Sequence, residues 1–184
     1  MLSPMGRKRR YCNGKKHRTC FIVKLVKRHG AESVCVNIDE FQFEIKEEVV
    51  DMLKSYAQHE GNELCGVLTG IKVGDNTFRI CKVSPPCIRS HSRCGCQRDA
   101  ELANQFLTDD YEASEQTRTY MGEWHTHPES DPTPSGVDMQ SIENNYLTAT
   151  HSAPFLFMVI VGTESIYISV YNGDRFEEIE PVIV

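Results

Sequence analysis

Residues 122–138 read GEWHTHPESDPTPSGVD, and they set two histidines one residue apart ahead of a serine and an aspartate. His125 and His127 are separated by one residue, so on a β-strand both imidazoles face the same side while Thr126 faces away. Pro128 cannot continue a central strand, so the backbone must turn there. Ser135 and Asp138 follow in the spacing S-x-x-D at the expected start of a helix, from which Asp138 can swing its carboxylate back toward the two histidines. Two imidazoles and one carboxylate leave one position of a tetrahedral zinc ion open, as a hydrolytic zinc site requires. Such chemistry also needs a carboxylate that takes a proton from water and passes it to the leaving amine. Two glutamates compete for that role. Glu123 lies two residues before His125 on the same strand face, and Glu63 opens the segment GNELCGVLTG, whose small residues permit close approach.

S-x-x-D ahead of a helix is also a capping-box-like start, with Ser135 as N-cap and Asp138 three residues in. That explains the second half of the motif and leaves the histidine pair unexplained, and one carboxylate can serve both purposes. A second set, Cys87, His91, Cys94 and Cys96, offers four soft ligands and is a candidate structural zinc site, although its spacing lacks the usual C-x₂₋₄-C pairs. Cys65 as a catalytic thiol is a weaker alternative, since no histidine partner is implied near it.

These residues need a scaffold, and its elements are readable. SVCVNIDEFQFEI reads as a strand, with Phe41, Phe43 and Ile45 on one face, and CFIVKLV as another, forming a β-hairpin extension within residues 19–39. KEEVVDMLKSYAQHEGN predicts a helix with Val49, Leu53, Tyr56 and Ala57 as its apolar stripe. ELCGVLTG and NTFRICKVS predict two strands joined by a turn at residues 74–76, and PPCIRSHSRCGCQ a loop. RDAELANQFLTDDYEASEQ is helical in spacing, TYMGEWHTH is a strand, and SGVDMQSIENNYLT is a third helix. PFLFMVIVG and ESIYISVYNGDRFEEI close the chain as a pair of strands. The mixed order predicts an α/β (mixed α+β) fold with one sheet and helices packed against it.

A length of 184 residues suits one domain with a real core. The longest apolar run, residues 153–161, is too short to span a bilayer, and no signal peptide is recognised, so a cytoplasmic protein is expected. In that setting the eight scattered cysteines are expected as reduced thiols. The net charge of −6 conceals an asymmetry: residues 1–28 carry ten Lys/Arg and no acids, so the remainder carries −16. Residues 1–18 are expected to form a basic, disordered tail ahead of a domain spanning 19–184. Apart from Tyr11 the tail lacks the interleaved aromatics of single-strand binders, which argues against nucleic acid as the partner.

The arrangement H-T-H-P, seven residues, then S-x-x-D, with N-E-x-x-G-x-L-x-G upstream, resembles the JAMM (JAB/MPN) metalloprotease family. The resemblance covers roughly residues 40–170 and implies a curved mixed sheet between helices. By that resemblance Glu63 is the general acid/base, His125, His127 and Asp138 hold one catalytic Zn²⁺, and the Ser135 hydroxyl steadies the oxyanion. Glu123 and its neighbour Trp124 are then expected to support the ligands or line the substrate groove. The wording G-E-W-H-T-H-P, with R-D-A-E-x-x-x-Q-F-L before it, is similar to the bacterial JAB peptidases of CBASS anti-phage operons. The resemblance implies an isopeptidase or peptidase acting after the C-terminal tail of a ubiquitin-like modifier or a conjugated cGAS-like nucleotidyltransferase. Processing of a bacterial ubiquitin-like or sulfur-carrier protein is the enzymatic alternative, an MPN-type interaction scaffold the non-enzymatic one, and a homodimer is among the expected states.

Overall fold

The computed structural model describes residues 36–184; the expected basic tail and most of the expected N-terminal hairpin lie outside the described residues. A 3₁₀ turn, Ile38–Glu40, leads into β1 (Gln42–Ile45) and helix α1 (Glu47–Ser55). Strands β2 (Cys65–Lys72) and β3 (Thr77–Val83) follow, then β4 (Ile88–Ser92) and β5 (Gly95–Arg98), α2 (Ala100–Ala113) and β6 (Thr119–Thr126). Helix α3 (Gly136–Thr148), β7 (Leu156–Val161), β8 (Ile166–Tyr171), β9 (Phe176–Glu178) and β10 (Val182–Ile183) complete the chain. The expected loop at residues 85–97 is thus an antiparallel hairpin, and the expected final pair of strands divides into three, with β10 a fourth beyond them. Gly173, at φ 93°, turns the chain between β8 and β9.

The main sheet is mixed, in the order β10-β1-β3-β2-β6-β7-β8-β9, and the β4–β5 hairpin stands apart as a two-stranded sheet. Every residue of β7 is buried, which is why its sequence is a continuous apolar run rather than an alternation. Helix α1 covers one face. Its Val49 and Leu53 join Phe43, Ile45, Ile80, Phe155, Phe157 and Val159 in one core, where Phe155 meets Phe43 edge to face at 5.2 Å between ring centroids. Helices α2 and α3 cover the other face, where Ala103 and Ile142 pack with Val67, Tyr120, Leu156, Met158 and Ile160. The architecture is the mixed α+β sheet between helices that the sequence implies.

Two pairings place the site. β2 runs antiparallel to β6 with Cys65 opposite His125, so the start of one strand lies beside the end of the other. The pairing continues past both strands: Thr126 N–H donates to Leu64 O at 2.9 Å, and Leu64 N–H donates to the Thr126 hydroxyl at 2.9 Å. Glu63 is thereby brought beside the histidines despite sixty residues of intervening chain. On the other side β6 runs parallel to β7, and His127 N–H donates to Val161 O at 2.9 Å.

Candidate metal centre

His125 near the end of β6 and His127 just past it turn their rings to the same side, with Nε2 atoms 3.2 Å apart. The connection to α3 is pinned at several points. Thr163 N–H donates to Glu129 O at 2.7 Å, and the Ser165 hydroxyl donates to Asp131 Oδ1 at 2.9 Å. Helix α3 then begins with a complete capping box: Asp138 N–H donates to Ser135 Oγ at 3.3 Å and Ser135 N–H to Asp138 Oδ2 at 2.7 Å. This fixes the Asp138 carboxylate with Oδ1 3.4 Å from His125 Nε2 and Oδ2 3.6 Å from His127 Nε2. The carboxylate that caps the helix is thus the one that faces both imidazoles.

Among the described residues, His125, His127 and Asp138 are the only group of three or more potential metal ligands whose donor atoms converge, all within 4.8 Å of one another. A tetrahedral zinc with bonds of about 2.0–2.1 Å separates its ligands by about 3.3 Å along each edge. The observed spacings of 3.2, 3.4 and 3.6 Å are of that size. The donor set of two imidazoles and one carboxylate, which turns a different oxygen to each ring, therefore suits zinc in type and in approximate spacing.

The electrostatics are those of a charged site partly withdrawn from water. Burial alone would raise the Asp138 carboxyl, but the two imidazoles facing it and the Ser135 side chain hold it well below the usual range. The same contact with Asp138 raises the His127 imidazole against the effect of its burial. Glu63 is 8% exposed, and burial pushes its carboxyl up to about 7; His127 opposes that rise, while Asp138 and Glu129 add to it. A carboxyl balanced near neutrality is suited to taking and returning a proton.

Glu123 is not available for that role. Its carboxylate receives Arg98 Nη2 at 2.6 Å and pairs with Arg98 Nη1, and the Tyr120 hydroxyl donates to it at 3.2 Å. Burial raises its carboxyl and Arg98 pulls it back. It braces the β4–β5 hairpin against β6 rather than lining a groove. Trp124 lines none either: alternation turns it to the other face, where it is fully buried and stacks on Tyr56 at 4.7 Å. The four candidate structural ligands do not assemble. Cys87 is buried with its thiol on Pro85 O, Cys94 is exposed, and His91 Nδ1 meets Glu63 O at 3.1 Å. Cys96 is disulfide-bonded to Cys65, with Cα atoms 6.0 Å apart. The expectation of reduced thiols thus fails at this pair, because the hairpin folds over the start of β2, and the bonded Cys65 is not a free nucleophile. Cys81, Cys87 and Cys94 are free, and Cys12, Cys20 and Cys35 lie outside the described residues.

A curled mixed sheet thus carries a His-x-His pair at a strand end, a helix-capping aspartate and a buried glutamate, the donors of a candidate metal centre. The chain belongs to the Prok-JAB family, the prokaryotic homologs of the JAB domain, whose model matches residues 46–176. It is 33% identical over 123 residues to a CD-NTase/cGAS isopeptidase of Vibrio cholerae, covering 65% of this chain and 76% of that protein. It is 33% identical over 138 residues to one of Escherichia coli, covering 72% and 85%. A solution structure of a Desulfitobacterium hafniense protein, 18% identical, shares the fold with a TM-score of 0.55 over 78% of this chain and 93% of that one. Among the described residues no helix is long and apolar enough to cross a membrane.

Proposed function

We propose that this protein is a zinc-dependent isopeptidase that releases a cGAS-like nucleotidyltransferase from its conjugates in bacterial CBASS defence, acting in the cytoplasm. The observation that carries the reading is the convergence of His125, His127 and Asp138 beside the buried carboxyl of Glu63. The names of the Vibrio and Escherichia relatives support the substrate class. Zinc held by the three ligands would supply Lewis acidity for the scissile carbonyl and acidify a water molecule.

The chain's own residues supply the rest. Glu63 accepts a proton from the attacking water and returns it to the departing lysine amine. Ser135 Oγ accepts the Asp138 amide, and its hydroxyl turns to donate to the carbonyl oxygen as negative charge develops there. Asp138, fixed by the capping box, keeps the two imidazoles from turning apart. The complete and convergent ligand set favours an enzyme over a scaffold.

The test is cleavage of defined conjugates. A nucleotidyltransferase tail joined to a lysine side chain should be cleaved after its terminal residue. Cleavage should stop with a strong zinc chelator and survive alkylation of exposed thiols. Preferential cleavage of a ubiquitin-like or sulfur-carrier fusion would move the substrate to that alternative. Activity that persists under chelation and disappears under alkylation would overturn the zinc reading.

A further inference from the structure

The β4–β5 hairpin holds Glu63 by its backbone on both sides. Glu63 N–H donates to Ser92 O at 2.9 Å, and His91 Nδ1–H donates to Glu63 O at 3.1 Å. Ser92 and His91 pair within the hairpin with Gly95 and Cys96. Cys96 is bonded across to Cys65, two residues beyond Glu63 and directly opposite His125. Arg98 at the end of the hairpin is anchored on Glu123 of β6. The hairpin otherwise stands outside the main sheet. Its position over Glu63 therefore depends on a few tethers, of which the disulfide is the one that chemistry can remove.

We propose that Cys65–Cys96 is a thiol–disulfide modification site that sets the pose of Glu63, so that a dithiol reductant loosens the hairpin and lowers turnover without releasing the metal. The effect on turnover rests on the isopeptidase reading; the effect on the hairpin does not. Cys65 is buried and Cys96 half-buried, so the approachable sulfur is that of Cys96. A thiolate of the reductant attacks Cys96 Sγ, the S–S bond breaks, and Cys65 leaves as a thiolate that takes a proton. The second thiol of the reductant then displaces Cys96, giving two protein thiols and one reductant disulfide. Arg98–Glu123 and the two hydrogen bonds persist, so the hairpin loosens rather than departs. No metal ligand belongs to the hairpin, which is why loss of the bond and loss of metal are separable.

The experiment uses the full chain, purified without reductant and loaded with zinc, with a thioredoxin-type dithiol protein as the probe. Peptide mapping after alkylation should find Cys65 joined to Cys96 and Cys94 modified. Reduction should speed amide exchange at Glu63 and across residues 88–98. It should also lower kcat on the order of tenfold, with a smaller change in KM and unchanged zinc content. Cys96→Ser should match the reduced enzyme and ignore the reductant, while Cys94→Ser should behave as wild type. The proposal is overturned if Cys65 and Cys96 are both alkylated before reduction, or if exchange in the hairpin is the same in both states. It is equally overturned if turnover is unchanged while exchange rises. Should no conjugate be cleaved in either state, the isopeptidase reading fails while mapping and exchange still decide whether the disulfide holds the hairpin.

Discussion

Two buried glutamates near the histidines should respond to the same substitution with opposite signs. Glu63 has its carboxyl raised from 4.5 to about 7, chiefly by burial. In metal-free protein the folded state therefore holds this proton more tightly than the unfolded chain does, and stability falls as pH rises from 4.5 to 7. A shift of that size corresponds to about 3 kcal/mol of destabilisation above pH 7, an upper value because some water still reaches the group. Glu63→Gln removes the charge without changing the shape, so at pH 8 the variant should melt higher than wild type, by roughly 5 °C for a chain of this length. Near pH 4.5 the difference should vanish. Glu123 differs because its charge is matched by Arg98, whose side chain is 9% exposed. Glu123→Gln leaves that guanidinium buried without the Glu123 charge, which costs about 3–5 kcal/mol and lowers the melting temperature by roughly 10 °C at pH 8. The assay is thermal unfolding by circular dichroism with a chelator present. A Glu63→Gln protein melting at or below wild type at pH 8, or with an offset indifferent to pH, would refute the assignment of a desolvated carboxyl.

Three further outcomes are expected. At Gly122, φ is 148° and an added Cβ would lie 2.1 Å from Phe157 O, so Gly122→Ala must push β6 from β7 just ahead of His125 and His127. It should lose about 3 kcal/mol or more in denaturant unfolding, together with zinc affinity. Asp110 is buried; burial would raise its carboxyl, yet Arg118, Thr69 and Lys82 hold it down to about 2, so it stabilises the fold above pH 3.8. About 2 kcal/mol of that should be lost as pH falls from 3.8 to 2, a loss that chemical unfolding of Asp110→Asn across the same range should not show. His125→Ala should fold but fall well short of one zinc per chain by elemental analysis; retention of a full equivalent would remove His125 from the ligand set.

The legible features were those carried by local spacing. The period-2 rule put His125 and His127 on one face, and the S-x-x-D spacing gave both a helix cap and a carboxylate facing the two imidazoles, because a capping side chain points back along its entry loop. The same alternation places Trp124 in the core opposite the site, and applying it one residue further would have corrected the groove expectation. Glu63 was separable from Glu123 only through the resemblance, since their difference rests on Arg98, a partner brought in by hairpin packing that no spacing encodes. The Cys65–Cys96 bond was hidden for the same reason: residues 85–97 have the Pro and Gly content of a loop, and their pairing as a hairpin over β2 is a tertiary result. Sheet order was equally out of reach, because β1 pairs in parallel with β3 and β10 across long connections.

The most direct test of the account is an anomalous diffraction map collected at the zinc edge from crystals of the zinc-loaded protein. The account predicts one strong peak per chain about 2 Å from Nε2 of His125, Nε2 of His127 and a carboxylate oxygen of Asp138, with Glu63 beside it but not bound. A peak on the cysteines of the hairpin, or none near these three residues, would contradict it.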